Sequence, residues 1–298
     1  MLRLQYESVF STPIPTLQIE DPEAFSMNSE PIQPKIDDIC FTHVDIEKAI
    51  DNMPWHSAPG PDSWSSILLK NCKTSLSKPL ATMWRKSLDT GSIPDILKTA
   101  DIAPLHKGGS KSIPTNYKPI ALTSHIIKIF ERVVRSKITE YLESHDLYNP
   151  GQHGFRAGRS CLSQLIDHYD KVLNTMEQRG NVDVIYTDFA KAFDKCDHGV
   201  IAHKIKKIGI TGKLGRWIHI FLTNRIQAVV VNQTKSSNST VISSVPQGTV
   251  LAPLLFLILI SDINTNTAHS SVSSFADDTK ISMNITSPEK QKPSDRYK

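Results

Sequence analysis

Apolar residues recur at spacings of three and four from Ile126 to Leu142 (Ile126, Ile127, Phe130, Val133, Val134, Ile138, Tyr141, Leu142), with Lys128, Arg132, Arg135 and Lys137 between them. That period predicts a long helix with its apolar side in a core. Val44, Ile46, Ala49 and Ile50 give a shorter helix behind Thr42 and Asp45, which are spaced as a capping box. Further helical patterns cover 63–72, 76–90, 161–178, 197–208 and 212–223. Strands are predicted at 98–106 and 117–122 around a basic, flexible loop (KGGSKSIPTN), and at 182–188. Two hairpins follow, 226–231 with 240–245 and 272–276 with 279–283, the second carrying Asp277-Asp278 at its tip. The apolar run 250–260 contains Pro253 and is well short of the roughly 20 residues that cross a bilayer, so it predicts a buried helix. Residues 1–40 hold Pro13, Pro15, Pro22, Pro31 and Pro34 without a sustained apolar period and read as a leader or linker, with order beginning near Phe41. Residues 286–298 form a polar tail.

Composition narrows the class. At 298 residues, 39% hydrophobic and 21% charged, the chain is neither a disulfide-stapled miniprotein nor a coiled coil. Its four cysteines (Cys40, Cys72, Cys161, Cys196) stand far apart, which indicates neither a zinc module nor a disulfide framework. The first residues lack a secretory apolar core, so the expected location is cytoplasmic or nuclear rather than secreted. Charge is uneven: 3 basic against 11 acidic residues over 1–62, and 31 against 19 over 63–298. Residues 191–235 alone carry nine basic and two acidic side chains, a field that attracts polyanions such as nucleic acid, although a solvated lysine face has the same composition.

The candidate chemistry lies in carboxylates at strand ends. Asp188 closes the strand at 182–188, and Asp277 with Asp278 stands at the hairpin tip 89 residues later. If those strands are neighbours, the carboxylates repel one another unless a hard divalent cation holds them. Two such ions would serve phosphoryl or nucleotidyl transfer. An Asp-Asp pair is also ordinary turn chemistry, so the dipeptide alone leaves both readings open.

Three segments occur in order: Tyr186-Thr-Asp-Phe-Ala-Lys-Ala-Phe-Asp194, Val245-Pro-Gln-Gly-Thr-Val-Leu-Ala-Pro-Leu-Leu255 and Phe275-Ala-Asp-Asp278. They resemble polymerase motifs A, B and C of the reverse transcriptases of non-LTR retrotransposons, of the jockey and CR1 kind. Ala58-Pro-Gly-Pro-Asp62, Ala103-Pro-Leu-His-Lys107, Asn116-Tyr-Lys-Pro-Ile-Ala-Leu122, Lys128-Ile-Phe-Glu131 and Gln152-His-Gly-Phe-Arg-Ala-Gly-Arg-Ser160 resemble that family's upstream motifs, so the likeness runs from about 41 to 283. It implies an α+β right-hand polymerase fold, with a leader at 1–40, fingers at 41–180, palm at 181–285 and the tail at 286–298. The thumb is expected to be missing and the chain to be a C-terminally truncated fragment.

The implied function is RNA-directed DNA synthesis. Asp188 and Asp277 would be metal ligands helped by the Phe189 carbonyl, with Asp278 a neighbouring catalytic carboxylate and Mg²⁺ (or Mn²⁺) the cofactor. Lys107 and Lys118 would hold the triphosphate, Phe193 would exclude a ribose 2′-hydroxyl, and Gln247 with Gly248 would pack against the incoming nucleotide. The partners would be an RNA template, a DNA primer and deoxynucleoside triphosphates. The family usually has Arg where Lys118 stands, and Ser and Gly where Thr249 and Ala252 stand. Asp194 reads as structural, and His106, His153 and His198 as local hydrogen-bonding groups. The rival readings are a catalytically dead nucleic-acid-binding remnant, a protein interaction module and, least favoured, a metal-dependent nuclease.

Overall fold

The computed structural model describes residues 1–14, 34–264 and 270–285. Residues 15–33 of the expected leader and the whole expected tail therefore lie outside the described residues. In chain order the elements are α1 (Leu2–Glu7), α2 (His43–Asp51), α3 (Ser66–Asn71), α4 (Lys73–Thr90), β1 (Thr99–His106), β2 (Tyr117–Thr123), α5 (His125–Ser144), α6 (Cys161–Glu177), β3 (Asn181–Thr187), α7 (His198–Lys207), α8 (Gly212–Leu222), β4 (Arg225–Val231), β5 (Thr234–Lys235), β6 (Ser239–Val241), α9 (Ala252–Leu259), β7 (Ser270–Phe275) and β8 (Asp278–Ile285). The chain forms two compact units, Met1–Leu147 with Phe193–Leu259, and Tyr148–Ala192 with Ile260–Lys298. The border expected at 180/181 falls inside the second of them, because α6 packs on β3 and β7.

In the first unit the helical periods converge on an aromatic core. The Phe130 ring stacks on Trp84 at 4.8 Å and meets Trp217 edge-on at 5.0 Å, while the Trp217 indole N–H donates to Ser87 Oγ at 3.0 Å. Large rings with one satisfied polar atom supply much apolar burial and a defined geometry. The capping box at Thr42 and Asp45 is present and starts α2. The sheet runs β2-β1-β4-β5, with β6 also on β4. β1 and β2 are antiparallel from Ala100↔Thr123 to His106↔Tyr117, and β1 is parallel to β4. The partner of β4 ends earlier than 245, at Val241, because the chain then changes partners: Ser244 N–H donates to Cys196 O at 2.8 Å and Val245 N–H to Phe193 O at 3.0 Å. The 107–116 loop is held rather than slack. Asn116 Nδ2 donates to Ser110 O and Tyr117 Oη to Lys111 O, each at 2.9 Å. The apolar run near 250 forms α9, which is buried as expected, and no described helix is long and apolar enough to cross a membrane.

The start of the chain departs from the leader reading. A six-residue helix is far below the length that is stable alone, yet α1 sits against the sheet through Tyr6, buried with Ala100, Ile102, Ala121 and Val229. Beyond it, Ser11 N–H donates to Ser243 Oγ at 2.9 Å, Ser11 Oγ to Lys195 O at 3.0 Å and Ile14 N–H to Asp197 Oδ2 at 3.2 Å. Further on, Ile36 pairs with the 209–211 backbone, where Gly209 at φ +88° leaves no room for a Cβ beside Pro34 O. Burial of one aromatic plus these long-range bonds supplies what local propensity lacks. Burial also pushes the Tyr6 phenol up to about 12.

The second unit is a three-stranded antiparallel sheet, β3-β8-β7, with α6 packed on it. A Ser160/Ser163 capping box starts α6. Its outer side exposes Leu162, Ile166, Tyr169, Leu173 and Met176.

If Tyr6 anchors the start of the chain, Tyr6→Ala lowers unfolding free energy by about 3–5 kcal/mol in urea denaturation, the range for emptying a buried aromatic site. A leader acting only as a linker gives a change within about 0.5 kcal/mol.

Candidate active site

The second unit brings the motif A and motif C carboxylates to one sheet edge. β3 pairs with β8 from Asn181↔Ile285 to Thr187↔Thr279, and Thr187 Oγ1 donates to Thr279 O at 3.2 Å. Asp188 is the next residue after that last pair. β7 pairs with β8 up to Phe275↔Asp278, leaving Ala276 and Asp277 as the connecting turn. The tip is thus Ala276-Asp277, and Asp278 joins the ladder instead of sharing the tip, because its backbone pairs with Phe275. Asp188 and Asp278 are exposed and Asp277 is half-buried. The Phe189 carbonyl accepts a hydrogen bond from Ala192 N–H at 3.2 Å, which leaves a second lone pair for another partner.

Among the described residues none of the three aspartates makes a side-chain ion pair, and no group of three or more His, Cys, Asp or Glu is gathered closely enough to hold a metal. The donor chemistry nonetheless suits Mg²⁺, which is bound through one or two carboxylates completed by substrate phosphates and water rather than by a closed protein cage. Like charges at one edge without a protein cation favour such an ion.

The first unit carries the other candidates. Lys118 stands opposite Leu105, and Lys107, one residue past the last pair, donates its backbone N–H to Asn116 O at 2.8 Å. Strand alternation puts the two lysines on the same face of the β1–β2 hairpin. Phe193 is half-buried and stacks on Phe256 at 4.6 Å. Gln247 Nε2 donates to Asp194 Oδ1 at 3.0 Å, and Gln247 O accepts from Ala121 N–H at 2.7 Å. Gly248 lies at φ +124°, and a Cβ there would come within 2.3 Å of Ala121 O. The missing side chain therefore lets motif B approach β2.

A family model described as reverse transcriptase (RNA-dependent DNA polymerase) matches residues 105–292. The chain belongs to this family. The reverse transcriptase relatives agree with the jockey-like, non-LTR kind expected from the motifs. A probable RNA-directed DNA polymerase from transposon BS of Drosophila melanogaster is 27% identical over 220 residues, covering 74% of this chain and 24% of the relative. The RNA-directed DNA polymerase from mobile element jockey of the same organism is 27% identical over 259 residues, covering 84% of this chain and 28% of the relative. The chain thus spans about a quarter of the length of the curated relatives it matches. Among solved structures, apo telomerase from Candida tropicalis truncated from its C-terminal domain aligns over 70% of this chain and 49% of that one, at 12% identity and a TM-score of 0.47.

Two further residues hold the motifs in place. Glu131, fully buried on α5, accepts from Val250 N–H at 2.6 Å and Leu251 N–H at 3.0 Å through Oε2. It thereby anchors the backbone directly after Gln247-Gly248-Thr249. Burial raises its carboxyl above the usual range, partly offset by the Leu251 amide and by the buried Arg225 guanidinium. The signal in the sequence was a glutamate inside the apolar stripe between Phe130 and Val134. Gln152 makes comparable contacts to Ala276, one residue before Asp277. Asp194 is buried and accepts from Gln247 Nε2. His198 Nε2 contacts Ser244 O and His153 Nδ1 contacts Ser163 Oγ, whereas buried His106 Nε2, expected to bond locally, has no hydrogen-bond partner among the described residues. Among the described residues no cysteine forms a disulfide, and burial pushes the Cys196 thiol up to about 12.

Removing the Glu131 carboxylate leaves the Val250 and Leu251 amides without their acceptor and takes a negative charge away from the neighbourhood of buried Arg225. Glu131→Ala is therefore expected to cost about 2–5 kcal/mol in chemical denaturation, the range for leaving two such amides unpaired. A loss below about 1 kcal/mol contradicts the anchoring role.

Proposed function

We propose that this chain is the polymerase portion of an RNA-directed DNA polymerase with a right-hand fold, extending a DNA primer on an RNA template by nucleotidyl transfer. The observation that carries the reading is the β3–β8 register, which sets Asp188 one residue beyond Thr187↔Thr279 while Asp277 occupies the adjoining turn. Family membership over 105–292 supports the same reading.

The roles divide between the two units. In the second, Asp188 and Asp277, with the Phe189 carbonyl, would hold Mg²⁺, and Asp278 adds negative charge beside them. The ion, when bound, neutralises phosphate charge and lowers the pKa of a coordinated hydroxyl. In the first unit, Lys107 and Lys118 bind the triphosphate as point charges; Lys118 lacks the bidentate fork of arginine and orients phosphate less strictly. Phe193, braced by Phe256, presents a fixed ring that rejects a ribose 2′-hydroxyl. Gln247 and Gly248 form the surface for the nucleotide, with Ala121 holding the Gln247 carbonyl, Asp194 the Gln247 side chain and Glu131 the amides of Val250 and Leu251 that follow.

Primer extension with Mg²⁺ and deoxynucleotides tests the reading. The natural chain is expected to extend, and Asp277→Asn to lose about a thousandfold or more, the equivalent of several kcal/mol of transition-state stabilisation. Template binding without extension by the natural chain contradicts it. Phe193→Ala should also relax selection against ribonucleotides by about 10- to 200-fold in kcat/KM ratio, as expected for a steric contact. Unchanged discrimination removes Phe193 from that role.

A further inference from the structure

We propose that Gln152 is a positioning residue for Asp277, acting through the backbone of Ala276; this rests on the reading of Asp277 as a metal ligand. Gln152 is 3% exposed. Its Oε1 accepts from Ala276 N–H at 2.9 Å and Gly154 N–H at 2.7 Å, and its Nε2 donates to Ala276 O at 3.3 Å. One side-chain amide thus holds both polar backbone groups of Ala276. The Ala276 carbonyl belongs to the peptide unit that ends at the Asp277 nitrogen, so fixing it sets the direction in which the Asp277 side chain leaves the turn.

The turn needs such a restraint. Ala276 has φ +57°, a left-handed conformation that costs a residue with a Cβ roughly 1–2 kcal/mol. Strain of this kind persists only where the surroundings over-determine it. Here a whole segment is built for the purpose. His153 N–H donates to Ser274 O and Ser274 N–H to Gly151 O, each at 2.8 Å, which adds 151–153 to the edge of β7 as a short parallel rung. A Cβ on Gly151 would lie 2.1 Å from Val272 O, and one on Gly154 would lie 2.2 Å from Ala276 N. Both glycines are thus required for the rung to come close enough for Gln152 to reach the turn. Within the Gln152-His-Gly-Phe-Arg stretch the functional partner of the glutamine is 124 residues away.

The test is Mn²⁺ binding, followed by loss of the free-ion electron paramagnetic resonance signal, together with deuterium uptake of the 270–280 segment. The natural chain is compared with Gln152→Met, which keeps length and loses all three bonds, and with Asp277→Asn. The expected result is a Mn²⁺ affinity weakened by about 10- to 100-fold in folded Gln152→Met, the range for groups that orient a metal ligand, with faster exchange at 270–280. If Gln152→Met does not fold, Gly154→Ala displaces the same turn and is read in the same way. An affinity unchanged in the glutamine variant but lost in Asp277→Asn overturns the positioning role and leaves the metal-ligand reading standing. An affinity unchanged in Asp277→Asn overturns that reading and the proposal with it.

Discussion

The antiparallel pairing of β3 with β8 is the constraint on which the chemistry depends. Strand side chains alternate with a period of two, so a slip of one residue sends every side chain to the opposite face. The register Thr187↔Thr279 therefore decides which groups stand at the sheet edge, and it leaves Asp188 as the first residue past the ladder. The same strand continues the β7 hairpin, so motif A and motif C are joined through a single element. Hydrogen-bonded ladders are stiff relative to loops, which makes them a suitable mount for the carboxylates we propose to hold an ion.

The first unit solves a related problem with buried polar anchors. Motif B carries Gln247 and Gly248 in a turn, and turns have little intrinsic rigidity. Glu131 takes up the amides that follow it, Ala121 takes up the Gln247 carbonyl, and Asp194 holds the Gln247 side chain. Each anchor carries a desolvation cost that only well-formed bonds offset. The start of the chain adds to this framework, since Ser11 binds Ser243 and Lys195, close to motif A and motif B.

Much of this was legible in local pattern. The α5 stripe, the Thr42 capping box, the β1–β2 hairpin and the strand leading into Asp188 follow from spacing and turn chemistry, and the ordered motifs pointed to the family. What local pattern missed is non-local. Nothing near α1 shows that Tyr6 reaches a sheet built from residues some hundred positions away, so the prolines after it dominated the reading. The strand expected at 240–245 contains suitable residues, but the backbone of Phe193 and Cys196 competes for its amides and wins beyond Val241. Asp278 looked like a tip residue because Asp favours turns; the two-residue connection instead consumes Ala276 and Asp277. Glu131 and Gln152 were visible only as parts of motifs, since the backbone groups they hold in motifs B and C are more than a hundred residues along the chain.

The most direct measurement of the central claim is a crystal structure with Mn²⁺ and an unreactive deoxynucleotide analogue, using the anomalous signal of the metal. The account predicts a peak held by carboxylate oxygens of both Asp188 and Asp277, with the Thr187↔Thr279 register intact. A peak held by neither aspartate, or a register shifted so that the two diverge, would contradict it.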